Sequence, residues 1–112
     1  MRIVYKNSAV KKQCTELRQA KKDFSEKVAK KLLKRVIFLE SAESLESVIN
    51  DPTLHFHDLK ADLDGYYAID VDGRRSPYRL IMRIDGYSKE LVFSSSKSIE
   101  IIKITEVSNH YE

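Results

Sequence analysis

The segment Leu54-His55-Phe56-His57-Asp58-Leu59-Lys60 places two imidazoles, a carboxylate and an ammonium within seven residues, a dense set of proton-handling groups. An imidazole exchanges protons near neutral pH. A lysine three residues beyond it supplies positive charge, or a base where its pKa is depressed. The same spacing also occurs in solvated surface loops, so His-x-x-Lys carries little by itself. His55 lies on the opposite side of the chain from Phe56 and reads as a bystander, whereas His57 and Lys60 can turn together.

Arg79 and Arg83 form a second feature. On one face of a strand they stand four residues apart, about 13 Å along its axis. Planar, permanently charged, forked guanidinium groups suit phosphates. A cross-strand ion pair with Asp70 or Glu100 is the other use for such an arginine. Tyr66, Tyr67, Tyr78 and Tyr87 are interleaved with these charges. Exposed aromatic faces stack on unpaired bases, although tyrosines also fill sheet edges. The third feature is the tail, Asn109-His110-Tyr111-Glu112, whose His110 and Tyr111 follow directly on an apolar strand. The chain has only three glycines, all in turn contexts, and shows no Gly-rich phosphate loop, nucleophile elbow or metal-ligand cluster.

The elements that must position these groups follow from periodicity. Ile3-Val4-Tyr5 reads as a first strand, and Asn7-Ser8 can cap a helix over 8–20 with Val10, Cys14 and Leu17 inward. Asp23 and Glu26 resemble a capping box for a second helix over about 24–40. Its apolar series is Phe24, Val28, Leu32 and Val36, and its other face carries Lys27, Lys30, Lys31, Lys34 and Arg35. Ser41 to Asn50 reads as a short acidic helix or turn, and Leu54 to Asp64 as a loop. Tyr67, Ile69 and Val71 alternate as a half-buried strand. Asp72-Gly73 suits a hairpin turn, and Tyr78 to Ile84 returns with Arg79, Ile81 and Arg83 on one side. Leu91-Val92-Phe93 adds a short strand, Ser94 to Ser96 a flexible loop, and Ile99 to Val107 a strand covered on both sides. The expected fold is α/β of the α+β kind. Two N-terminal helices cover one face of a small, mainly antiparallel sheet, and the face with Arg79 and Arg83 stays open.

Bulk properties narrow the function classes. A chain of 112 residues fits one domain. The net charge of +3 hides an asymmetry: residues 1–37 hold 12 Lys and Arg against 3 acids, and the remainder holds 8 against 14. Such a basic first third points to a polyanion or an acidic protein partner, or to a solvated helix face. The single cysteine, Cys14, precludes an internal disulfide and fits a reducing cytoplasm. No apolar run approaches a membrane span, the first residues do not read as a signal peptide, and three scattered histidines make a zinc site improbable.

The run His57-x-x-Lys60-x-Asp62-x-x-Gly65-Tyr66-Tyr67-x-Ile69-x-Val71, followed by Tyr78-Arg79-Leu80, resembles the HigB branch of the RelE/ParE toxin superfamily. There a His-Pro-Leu-Lys-Gly segment precedes a Gly-Tyr-Trp strand, and an aromatic-Arg pair opens the next. The motif covers the central quarter of the chain. Asp58 stands where the branch often has Pro and Ala61 where it often has Gly. Residues 85–98 exceed the usual turn, and Asn109-His110-Tyr111 is a permuted form of the common Asp-Tyr-His ending.

The resemblance implies a ribosome-dependent mRNA endoribonuclease that needs no metal or cofactor, with the RNA's own 2′-OH as nucleophile. It implies base and charge-stabilising roles for His57 and Lys60, the scissile phosphate for Arg79, and acid or base-stacking duty for His110 or Tyr111. Lys27, Lys30, Lys31, Lys34, Arg35 and Arg83 would hold RNA of the ribosome. The protein partner would be a helix-turn-helix, HigA-like antitoxin, with operator DNA reached only through it. Two alternatives share the residues: a ParE-like gyrase inhibitor without ribonuclease activity, and a non-catalytic RNA-binding module.

Overall fold

Three helices follow the first strand because the chain supplies three starts and two breaks. In the computed structural model, which describes residues 1–109, β1 (Arg2–Tyr5) leads into α1 (Ser8–Thr15). Asn7 caps α1 by accepting from the Val10 amide at 2.9 Å. Glu16 then adopts extended backbone and separates α1 from α2 (Leu17–Asp23), so the helix expected over 8–20 is two. The longest helix, α3 (Glu26–Ser41), is capped by Ser25, whose Oγ accepts from the Val28 amide. Asp23 is drawn elsewhere: the Gln13 and Gln19 side-chain amides donate to it at 3.0 and 3.1 Å. A short α4 (Leu45–Ile49) ends the helical half.

The rest is a sheet interrupted by one helix. Strands β2 (His57–Asp58), β3 (Tyr66–Asp70), β4 (Arg79–Arg83) and β5 (Ile101–Ser108) join β1 in the order β1-β5-β4-β3-β2. All neighbours are antiparallel except β1 and β5, which run parallel. Part of the segment expected as a loop over 54–64 is therefore the edge strand β2, followed by a 3₁₀ turn over Ala61–Leu63. The strand expected at Leu91–Phe93 is instead α5 (Lys89–Ser94). Three successive apolar residues fit either element, and Ser88 decides it by capping, its Oγ accepting from the Leu91 amide. Ser94–Ser96, expected as a flexible loop, runs from α5 into a 3₁₀ turn over Ser96–Ser98 in which Ser96 is buried.

The main buried cluster joins Leu32, Val36 and Leu39 of α3 with Ile69, Leu80, Met82, Ile102 and Ile104 of the sheet. Burying each such side chain stabilises the fold by about 1.5–3 kcal/mol. Phe24, the first residue of the expected apolar series, is half-buried and sets its ring edge-on to Tyr78 at 5.5 Å. Ile37 remains 60% exposed. Cys14 is buried in the same cluster, and desolvation pushes its thiol up to about 12. No helix among the described residues is long and apolar enough to cross a membrane.

Candidate functional site

Alternation along the strands sorts the sheet into two sides. Tyr67, Ile69, Leu80 and Met82 belong to the cluster under the helices. Tyr66, Ala68 and Asp70 of β3 and Arg79, Ile81 and Arg83 of β4 take the other side. This second side is not open throughout. Leu59, Ala68 and Ile81 form a small buried cluster, with Leu63 and Tyr66 packed against it. The chain just after β2 folds over the middle of the face and leaves its two ends with different character.

At one end lies a buried polar knot. Arg79 is 6% exposed and Asp70 fully buried, and the two are cross-strand partners. The Arg79 Nε sits 3.1 Å from the Asp70 Oδ1, an ion pair without hydrogen-bond alignment. The guanidinium also donates to the carbonyls of Ser76 at 2.5 Å, Tyr78 at 2.8 Å and Arg74 at 3.2 Å. These bonds tie the 71–78 connection to the strand, which replaces the tight Asp72-Gly73 hairpin expected there. Arg79 is therefore sealed, and the cross-strand pair with Asp70 is the use the fold makes of it.

At the other end Arg83 is exposed. Its guanidinium carbon lies 5.1 Å from the centroid of the Tyr66 ring, its register partner, and its Nε is 3.5 Å from Asp85. A cation held over an aromatic face in this way is attracted by the ring's quadrupole. Lys103 is the next partner across, on β5.

His57 lies beside this face on the edge strand, opposite Ala68. Its Nδ1 is 2.8 Å from the carbonyl oxygen of His55, and the two rings stack at 4.5 Å. The Nδ1 of His55 lies 3.7 Å from the Asp70 carboxylate. Lys60 is exposed just past β2, next to Ala61 in left-handed backbone. Asp58, on the helix side of β2, is 3.1 Å from Lys89 of α5, and that bond holds its carboxyl below the usual range. Phe56 stacks on Tyr67 at 5.4 Å and anchors the segment to the core. His55, which reads as a bystander in the sequence, joins the site, and Asp70 joins it as the cross-strand partner of Arg79. The available signals were the His55 position two residues before His57, and the alternation that sets Asp70 across from Arg79.

The basic helix is partly self-satisfied. Lys27 is 3.4 Å from Asp72, Lys30 is 3.7 Å from Glu26, and Arg35 donates to the Val71 carbonyl at 3.1 Å. Lys34 is exposed and Lys31 half-buried. His110 and Tyr111 lie outside the described residues.

No protein-family model matches the chain, and no curated protein does. Among solved structures it is similar to the YoeB-YefM complex from Staphylococcus aureus, with 18% identity and a TM-score of 0.49, over 99% of this chain and 98% of that one.

Proposed function

We propose that residues 1–112 form a single toxin domain of a type II toxin–antitoxin system, a HigB-like, ribosome-dependent endoribonuclease acting on mRNA. The reading rests on the motif His57-x-x-Lys60 with Gly65-Tyr66-Tyr67 and Tyr78-Arg79. The observation that carries it furthest is that the ladder sets His57, paired with Ala68, and the Tyr66–Arg83–Lys103 row in neighbouring rows of one sheet side. An imidazole, an aromatic platform and cations side by side suit a single-stranded RNA segment.

The reaction forms a bond from the 2′-oxygen to phosphorus and breaks the bond to the 5′-oxygen. A base takes the 2′-hydroxyl proton, an acid gives one to the leaving oxygen, and cations stabilise the added charge on phosphate. His57 is the base and Lys60 the charge near it, while His110 or Tyr111 serves as acid or stacks on a base. Arg79 reaches the scissile phosphate only by exchanging Asp70 and its carbonyl partners, so Arg83 is the arginine already presented. The nucleophile belongs to the RNA, so the chemistry calls for no cofactor. Lys31 and Lys34, with Lys27, Lys30 and Arg35 around them, hold ribosomal RNA or the HigA-like antitoxin, and the work is done in the cytoplasm. The burial of Arg79 favours a second reading, a module that binds RNA without cutting it.

Incubating the purified chain with translating ribosomes and mapping mRNA 5′ ends by primer extension tests the proposal. New ends that vanish in His57→Ala support it. RNA binding without cleavage selects the second reading. Inhibition of gyrase supercoiling with intact mRNA selects a ParE-like activity instead.

A further inference from the structure

His55 holds φ at 49°, left-handed backbone that few residues other than glycine adopt. Strain of this kind persists only where its surroundings enforce it, and it gathers at functional positions. Here it has a visible result. The turn at His55 aims its carbonyl at the Nδ1 of His57, 2.8 Å away. It also lays the His55 ring against the His57 ring, with centroids 4.5 Å apart and planes inclined by 26°. On its other side the His55 Nδ1 faces the buried Asp70 carboxylate at 3.7 Å, which is already paired with Arg79. His55 is thus held between a buried ion pair and the imidazole of His57.

A carbonyl oxygen only accepts. In a neutral His57 the proton therefore sits on Nδ1, and the lone pair belongs to Nε2. We propose that His55 is a positioning residue: its left-handed carbonyl fixes the Nδ1–H tautomer of His57, and its ring fixes the plane in which His57 presents Nε2. Within the ribonuclease reading, on which the catalytic part of this inference rests, Nε2 is the atom that takes the 2′-hydroxyl proton. The Asp70–Arg79 pair then acts at one remove, as the wall against which His55 is seated.

The carbonyl and the ring are separable. His55→Gly accepts the left-handed backbone and keeps the carbonyl in place while deleting the ring. His55→Val disfavours that backbone and removes the ring as well. The tautomer of His57 is read by long-range ¹⁵N–¹H NMR on the purified chain, with circular dichroism as the check on folding. Wild type and His55→Gly are expected to show Nδ1–H on His57, and His55→Val to lose it. On translating ribosomes, His55→Val lowers kcat on the order of 10²-fold at unchanged KM, as misplacement of a reacting group does. His55→Gly lowers it less.

A wild-type His57 protonated on Nε2 overturns the proposal, as does loss of Nδ1–H in a folded His55→Gly. A folded His55→Val that keeps both the Nδ1–H tautomer and the wild-type kcat overturns it equally. Nδ1–H in a wild-type chain that cuts no mRNA upholds the positioning role and removes only the ribonuclease reading.

Discussion

Arg79 and Arg83 share one strand and one side of the sheet, yet the fold treats them oppositely. Arg79 is enclosed by Asp70 and by three carbonyls of the connection before it. Arg83, two strand repeats later, lies over Tyr66 and is exposed. The difference comes from what flanks each end of β4. The 71–78 connection folds back with its carbonyls turned inward, and a guanidinium with five donors is the side chain that can satisfy them. At the other end the chain leaves along Asp85 and Gly86, with Asp85 3.5 Å from the Arg83 Nε and the arginine still exposed. One side of the sheet thus offers both a rigid interior joint and a presented cation, and sequence spacing alone treats the two as equivalent.

The largest expected effect breaks the joint. Arg79→Ala leaves Asp70 buried without its cation, and removing one partner of a buried pair costs about 3–5 kcal/mol. Urea denaturation should show that loss, with Asp70→Ala comparable and the double variant less destabilised than the two losses added. A stability unchanged within about 0.5 kcal/mol in Arg79→Ala would return that residue to the phosphate role.

On the helix-covered side, Leu32→Ala removes a fully buried side chain and should cost about 2–5 kcal/mol in the same assay. Arg83→Ala sharpens the contrast. Stability should stay within about 0.5 kcal/mol, while cleavage falls by about 10²-fold if this is the preorganised charge on the phosphate. Equal cleavage by Arg83→Ala and wild type would shift the phosphate contact away from this end of β4.

Charge reversal at Lys30, Lys31 and Lys34 should act more gently. Ribosome affinity is expected to fall less steeply with salt, in proportion to the phosphate contacts removed. An unchanged slope in a filter-binding titration would assign these lysines to solubility or to the antitoxin.

The smallest effect concerns Asp58. Lys89 lowers its carboxyl pKa in the folded chain. Its contribution is therefore present above the ordinary carboxylate pKa and is lost as pH falls through the lowered folded value. Asp58→Asn should be slightly less stable than wild type at neutral pH, and the gap should close in acid. A gap independent of pH would remove the pair with Lys89 as its cause.

The amphipathic stripe of α3 was legible because 3.6-residue periodicity reports burial directly: Val28, Leu32 and Val36 are all in the core. The turn into α5 was not, since Leu91-Val92-Phe93 is too short for periodicity to separate strand from helix. Nor was the edge strand at His57, which contributes only two residues to the ladder. The pairing of Arg79 with Asp70 was among the readable options, because alternation put both on one side. Sequence could not say which option held, since that depends on carbonyls brought in by the 71–78 connection. His55 reads as a bystander in the sequence for a related reason. Alternation sends it away from Phe56, but a left-handed backbone breaks alternation at that residue.

Strand β5 lies between β1 and β4, and β1 has no other neighbour in the sheet. The element that joins the two halves is thus the one that a growing chain delivers after the other four strands of the sheet. While residues 101–108 are still inside the exit tunnel, β1 has nothing to pair with, and Ile102 and Ile104 are missing from the layer beneath the helices. Long-range pairing of this kind is slow and cannot begin before its last partner emerges. Closure of the sheet therefore waits on β5, and the emergence of that one strand sets the earliest moment at which the finished surface exists.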